Sequence, residues 1–204
     1  MDTLVEAARR AGVRDERVLA AIAGVPRSDF VPPQYVEQAE LDAPIPIPHA
    51  QVTTQPSLVV RMVEALAFDG HERVLEIGTG YGWQTALLAD LARDVFSVER
   101  FADLAETARA NLANRENVHV VVGDGSAGLP KHAPFDAILV AAAYPSVPKP
   151  LAEQLADGGR LVQPLGQGGA EDVVLFEKHG GELQRIRSIT GAHFVRLHGA
   201  YGFP

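Results

Sequence analysis

The apolar positions of the N-terminal third recur at helical spacing. Leu4–Ala11 and Asp15–Ala23 both read as helices, the second with Asp15 as N-cap and Val18, Leu19 and Ile22 on one face. Gly24 and Pro26 close it. Val25–Pro33 is too proline-rich for helix and is expected to run as an ordered surface connection. Asp42–Pro48 should be extended, held by Pro44, Pro46 and Pro48. A polar, hydroxyl-rich turn from Ala50 to Pro56 leads into a helix from about Ser57 to Ala67, striped by Leu58, Val59, Met62, Val63 and Leu66.

From Arg73 the period switches between short apolar runs and helical stretches. The runs Val74–Ile77, Val95–Val98, Val118–Val122, Ala137–Val140 and Arg160–Pro164 read as strands. Helices are expected between them, one ending near Ala92, one at Ala102–Asn114 and one at Lys149–Ala156, the last capped by Asp157-Gly158-Gly159. Strands separated by helices imply βαβ units, a parallel sheet and right-handed crossovers. Beyond Gly166, Val173–Lys178 and Glu182–Ile189 flank a His179-Gly180-Gly181 turn and predict an antiparallel hairpin. His193–Leu197 is a candidate last strand. The pattern predicts a doubly wound α/β fold with modified trailing strands. One domain spanning 1–204 is expected: an N-terminal helical and loop layer over 1–68, an α/β core over 69–166 and antiparallel strands over 167–204.

The stretch around which this pattern turns is Val74-Leu75-Glu76-Ile77-Gly78-Thr79-Gly80-Tyr81-Gly82-Trp83. A strand, a glycine turn and a helix in this order form a nucleotide-like site. The glycines let the backbone approach a ligand, and the helix start offers unpaired N–H groups. The spacing is G-x-G-x-G, not the dinucleotide G-x-G-x-x-G, and the large indole of Trp83 stands where a glycine or alanine would be needed. The acid Glu76 would repel a pyrophosphate. An adenosyl ligand without phosphates, carrying a cationic methionine moiety, suits both features better. Glu99 closes the second strand at the sheet edge, where it can accept the ribose hydroxyls, and Asp124 ends the third strand within reach of an adenine amino group.

Composition narrows the classes. The chain has 204 residues, 47% hydrophobic and 22% charged, with a net charge of −8. That balance argues against gripping nucleic acid, which needs a basic face. With no cysteine, disulfides and thiolate chemistry are excluded, which suits the cytoplasm. The N-terminus carries Asp2, Glu6, Arg9 and Arg10 and lacks a signal peptide's apolar core. The longest apolar run, Ala137–Tyr144, is too short to span a membrane. The seven histidines do not cluster at ligand spacing, so no metal is expected.

Several separated stretches make the chain resemble the protein-L-isoaspartate O-methyltransferases. They are Val25-Pro26-Arg27 with Phe30-Val31-Pro32, Gln51–Pro56, Val74–Ala86, Ser97-Val98-Glu99, Gly123-Asp124-Gly125, Pro134–Ile138, Leu155–Gly166 and Phe194-Val195. The glycine loop and strand-end acids are common to many methyltransferases. The Val-Pro-Arg segment and the Gln-Val-Thr-Thr-Gln-Pro loop carry the family signal.

The resemblance implies a class I methyltransferase fold and S-adenosyl-L-methionine as cofactor, with S-adenosyl-L-homocysteine as product. It implies methyl transfer to the free α-carboxylate of L-isoaspartyl residues in damaged proteins and peptides, the ester then cyclising to a succinimide. A cytoplasmic monomer, with no nucleic-acid or membrane partner, is expected. The family's loop serine falls at Thr54, with Gln51, Val52 and Thr53 beside it. Cofactor contacts map to Glu76, Gly78, Thr79, Gly80, Glu99, Asp124 and Gly125, and the substrate-holding C-terminal segment to Phe194–His198, led by Phe194 and Val195.

This chain departs from the family pattern at several positions. Thr54 replaces the usual serine, Val52 stands where threonine is common, Tyr81 and Trp83 alter the glycine loop, and Arg196 interrupts a Phe-Val-Pro-Leu run. Other readings stay open on the residues alone: a different acceptor, a cofactor-binding protein without transfer, or, more distantly, a nicotinamide dehydrogenase. Thr53 and Thr54 could instead cap the helix that follows, and Trp83 could be core packing. The small residues Ala141-Ala142-Ala143 after strand four would make room for the methyl.

Overall fold

A computed structural model describes residues 3–167 and 169–204; Asp2, one of the charged N-terminal residues, lies outside them. Helix α1 (Leu4–Arg10) starts in a capping box, Thr3 accepting from the Glu6 N–H and Glu6 reaching back to Thr3. Helix α2 (Glu16–Gly24) is capped by Asp15, as its sequence predicts. Strands β1 (Ile45–Ile47) and β2 (Gln51–Thr53) form a small antiparallel hairpin. Helix α3 (Pro56–Ala65) follows, its proline in the first turn where no N–H is needed.

The core alternates β3 (Arg73–Ile77), α4 (Trp83–Leu91), β4 (Asp94–Glu99), α5 (Ala102–Asn111), β5 (Val118–Val122), β6 (Phe135–Val140) and α6 (Lys149–Gln154). Strands β7 (Leu155–Leu165), β8 (Glu171–His179) and β9 (Glu182–Ala192) complete a seven-stranded sheet of order β5-β4-β3-β6-β7-β8-β9. The pairs from β5 to β7 are parallel, and β7-β8 and β8-β9 are antiparallel.

Alternate residues of β3 face opposite layers, as the period of two requires. Val74 joins the apolar cluster built with helices α1–α4, and Leu75 and Ile77 join the cluster built with Leu151 of α6. The chain leaves β3 to one side, makes β4 and β5, and returns to place β6 on the other side. The crevice at the carboxyl ends of β3 and β6 is therefore the switch point where open α/β sheets take ligands.

Four expectations are corrected. Val25–Pro33 is not a surface connection: it holds a 3-10 helix (Arg27–Phe30), a second begins at Pro33, and Arg27, Phe30 and Val31 are buried. A short 3-10 turn tolerates the prolines because its first residues need no N–H partner. The Ala50–Pro56 stretch is not all turn, since Gln51–Thr53 pairs with Ile45–Ile47. Asp157-Gly158-Gly159 does not cap α6, which ends at Gln154. Leu155 is already extended, and the pairing jumps from Phe135↔Leu155 to Ala137↔Arg160, so the glycines make a bulge inside β7. His193–Leu197 is not a strand. It is tied at Arg196 by an isolated parallel bridge to Ala143, with Ala143 N–H donating to the Val195 carbonyl at 2.7 Å.

Candidate active site

Because β3 and β6 are adjacent and parallel, the loops that leave them run side by side. Gly78 has φ +97°, and a Cβ added there would lie 3.3 Å from the Cβ of Ala141. The left-handed backbone favours glycine, and the close approach leaves a Cβ little space. One strand over, the Glu99 carboxylate, 5% exposed, accepts the Gly80 N–H at 2.9 Å and the Phe101 N–H at 3.0 Å. One acid thus ties the glycine loop to the start of α5. Gly125, after β5, packs so tightly under the crevice that a Cβ would meet Ile77 Cγ2 at 2.4 Å.

Gly78, Thr79, Gly80, Glu99 and Gly125 line one cavity, and Gln51, Val52, Thr53, Thr54 and Val195 close it from the other side. The structure thus gathers most of the sequence candidates in one place. Trp83 is core packing and cavity wall at once: it lines this cavity, is 3% exposed, and donates its indole N–H to the Val25 carbonyl at 3.2 Å.

Glu76 and Asp124 do not lie where the sequence suggested. Glu76 is fully buried, on the face of β3 that packs against α4. Gln84 donates to one carboxylate oxygen at 2.8 Å, and Thr85 and Ser97 donate to the other at 2.5 Å each. The Ser97 hydroxyl is 2.5 Å from that of Thr79, so the acid steadies the glycine loop from behind and does not line the cavity. Burial pushes its carboxyl up to about 7, against the lowering effect of those three donors, Ser97 first.

Asp124 is turned to the C-terminal segment. It accepts the Ser126 N–H and hydroxyl on one oxygen and the Ala200 N–H on the other. A Cβ on Gly199 would lie 2.0 Å from its Oδ1, so the backbone of 199–200 covers the carboxylate. Its pKa is lowered: burial opposes ionisation, and the Ser126 and Ala200 hydrogen bonds outweigh it.

A second cavity adjoins the first. Val52, Thr54, Ala141 and Val195 line both, while Phe194, His193, Gln55 and Arg61 belong to the second. The Thr54 region of this partition is set by Arg27, whose role the sequence alone does not reveal. Arg27 is fully buried, and its guanidinium donates to the carbonyls of Ala39, Leu41, Ala43 and Thr54 at 2.9–3.3 Å and to the Thr53 hydroxyl at 2.8 Å. Its charge centre also stands 5.5 Å over the Trp83 ring. Burial pulls its pKa down to about 10, leaving it a cation at neutral pH. The Val-Pro-Arg signal marked it; only the fold shows that a loop without a ladder of its own needs such a donor.

Thr53 and Thr54 do not cap α3. That role falls to Asp42, which accepts the Ser57 N–H at 2.8 Å and the Gln55 amide at 3.0 Å. Thr53 is committed to Arg27. Among the described residues the Thr54 hydroxyl has no partner. His49, at the tip of the β1-β2 hairpin, stacks on Phe101 at 4.1 Å and bonds to Asp103, clasping the hairpin over the first cavity.

Comparison with known proteins decides the family. The model of the protein-L-isoaspartate(D-aspartate) O-methyltransferase family matches residues 1–201. The chain belongs to this family. The protein-L-isoaspartate O-methyltransferase of Methanoregula boonei is 50% identical over 194 residues, 94% of this chain and 89% of that protein. That of Myxococcus xanthus is 48% identical over 195 residues, 93% of this chain and 92% of that one. A solved protein-L-isoaspartate O-methyltransferase superposes with a TM-score of 0.87 at 28% identity, over 98% of this chain and 66% of that one. A beta-aspartate methyltransferase from Plasmodium falciparum, in complex with S-adenosyl-L-homocysteine, shares the fold at a TM-score of 0.78 and 22% identity, over 96% of each chain. The sequence expectations of an α/β methyltransferase, of S-adenosylmethionine as cofactor and of isoaspartyl carboxyl methylation are those of the methyltransferase family matched here. The glycine cradle, with left-handed backbone at Gly78 and Gly80, and the carboxylate of Glu99 are suited to an adenosyl ligand.

Proposed function

We infer that the first cavity holds S-adenosylmethionine and the second the acceptor, and that a methyl group passes through the partition that Thr54, Ala141 and Val195 share. The observation carrying this is the uncommitted Thr54 hydroxyl in a wall common to both cavities. When bound, S-adenosylmethionine supplies a methyl on a positively charged sulfur, which needs no activation by the protein.

The acceptor is the free α-carboxylate of an L-isoaspartyl residue. With a pKa of about 3.5 it is ionised at neutral pH, so no general base is required. The chain contributes position. Thr54 donates a hydrogen bond to the carboxylate and orients its oxygen, and Gln51, Val52, Thr53, Phe194 and Val195 shape the space around it. Thr54 is a positioning group and not a nucleophile. The side chain of Ala141 is small enough to leave room at the crossing point. Gly78, Thr79, Gly80, Glu99 and Gly125 hold the cofactor, Glu99 accepting from the ribose. Alignment and exclusion of water are worth several kcal/mol in such transfers.

We take the enzyme to act as a cytoplasmic monomer on protein substrates and not on nucleic acid. A net charge of −8 weighs against nucleic acid, and the lack of cysteine suits the cytoplasm. The deciding assay uses labelled S-adenosylmethionine with matched peptides carrying isoaspartate or aspartate. Base-labile label on the isoaspartyl peptide alone is the expected result. Cofactor binding with transfer to neither peptide would overturn the assignment.

A further inference from the structure

The second cavity has a direction. At its inner end Thr54, Ala141 and Val195 meet the first cavity. Along α3 the lining runs outward through Ser57 to Arg61, one turn and about 6 Å further on. The segment facing it runs outward from Val195 through Ala192 to Thr190, and there the Arg61 guanidinium donates to the backbone carbonyl of the next residue, Ile189. Two independent stretches of chain therefore put Arg61 at the outer end, on the order of 10 Å from Thr54.

Arg61 is partly buried, and that carbonyl is its one partner among the described residues. Among the described residues no acid is paired with it. Glu64, one turn on, accepts the N–H groups of Arg14 and Asp15 on one oxygen, and Asp42 accepts from Ser57 and Gln55 at the start of the helix. A guanidinium has five N–H donors in a fork that matches a carboxylate. The other donors of Arg61 are not buried, so an anion entering the second cavity can take them in place of water. The surrounding protein carries a net charge of −8, so only a local cation would make this wall attractive to an acid.

We infer that Arg61 forms an anion-recognising subsite that selects acceptors with an acidic side chain flanking the isoaspartyl residue. This rests on the assignment of the second cavity to the acceptor. An extended peptide advances about 3.3 Å per residue, so the acidic residue lies two or three positions from the isoaspartate. The reacting carboxylate stays at Thr54. Its oxygen is not drawn into an ion pair that would blunt its attack on the methyl.

The test is a set of isoaspartyl peptides carrying Glu, Gln or Lys at each of the four positions on either side. The wild-type enzyme should favour Glu over Gln about three- to tenfold in kcat/KM at one position two or three residues away, and disfavour Lys there. The preference should shrink in high salt. In Arg61→Gln the Glu-to-Gln ratio should fall to about one, while the charge-preserving Arg61→Lys keeps most of it. Because the readout is a ratio within one protein, partial loss of folded enzyme does not imitate it. A wild-type enzyme blind to Glu against Gln at all eight positions would overturn the proposal, and so would a preference that survives in Arg61→Gln. Failure of the acceptor assignment itself looks different: no isoaspartyl peptide is then methylated by the wild type.

Discussion

The Arg27 guanidinium donates to the Thr53 hydroxyl at 2.8 Å, while the neighbouring Thr54, in the wall between the two cavities, has a hydroxyl with no partner among the described residues. One threonine is fixed so that the next is presented. Arg27 should therefore matter for both stability and turnover. Arg27→Met leaves four carbonyls and a hydroxyl without their donor, and a loss of about 3–5 kcal/mol in urea unfolding is expected. Arg27→Lys, a point charge where a fork is needed, should fold better but turn over more slowly, with the larger change in the acceptor KM.

Removing the Thr54 hydroxyl tests the proposed orientation of the acceptor directly. Thr54→Ser should stay within a few-fold of wild type. The near-isosteric Thr54→Val should lower kcat by about 10- to 100-fold, the range for a lost hydrogen bond to a charged group. Calorimetry with S-adenosylhomocysteine should show little change in either variant. A Thr54→Val enzyme with unchanged kcat would remove Thr54 from the proposed roles.

Glu99 has two duties, since it faces the first cavity and also holds the Gly80 and Phe101 N–H groups. Glu99→Ala should weaken S-adenosylhomocysteine binding by about 10- to 100-fold and lower the melting temperature as well. Glu99→Gln keeps one acceptor oxygen and should fall between.

Glu76 sets a pH dependence of stability with an unusual sign. Its carboxyl is raised, chiefly by burial, from 4.5 to about 7 in the folded state. Between those values the folded protein binds more protons than the unfolded chain, so this group's contribution falls as pH rises from 4.5 to 7. Above pH 7 the loss is complete, up to about 3 kcal/mol. Glu76→Gln removes the titration. The melting temperature of the variant minus that of wild type should therefore climb through this window and level off above it. A difference that does not vary with pH would mean that the buried acid titrates normally.

Much of this was legible in the chain because local patterns and sheet architecture agree. The strand Val118–Val122 has the bounds its apolar run gave it, Asp15 caps α2, and Gly78 and Gly80 sit in left-handed backbone under the crevice. The misses share a cause. Glu76 and Asp124 were judged by their place along a strand, but whether an acid faces a ligand depends on the side of the sheet and on what packs against it. Glu76 points into the layer beneath α4, and Asp124 meets a segment some seventy-five residues further along. The role of Arg27 is not legible in the sequence because its partners, Ala39 to Thr54, form a stretch with little periodicity. The Asp-Gly-Gly bulge reads locally as a helix stop, and only the Phe135↔Leu155 pairing shows the strand already begun.

The wall formed by Val52, Thr54, Ala141 and Val195 serves two tenants at once. If the two cavities hold cofactor and acceptor as proposed, a substitution that widens this wall for a bulkier acceptor also changes the space beside the methyl donor. Arg61 and His193 line the second cavity alone, so under that assignment a change there alters acceptor contacts without touching the cofactor side.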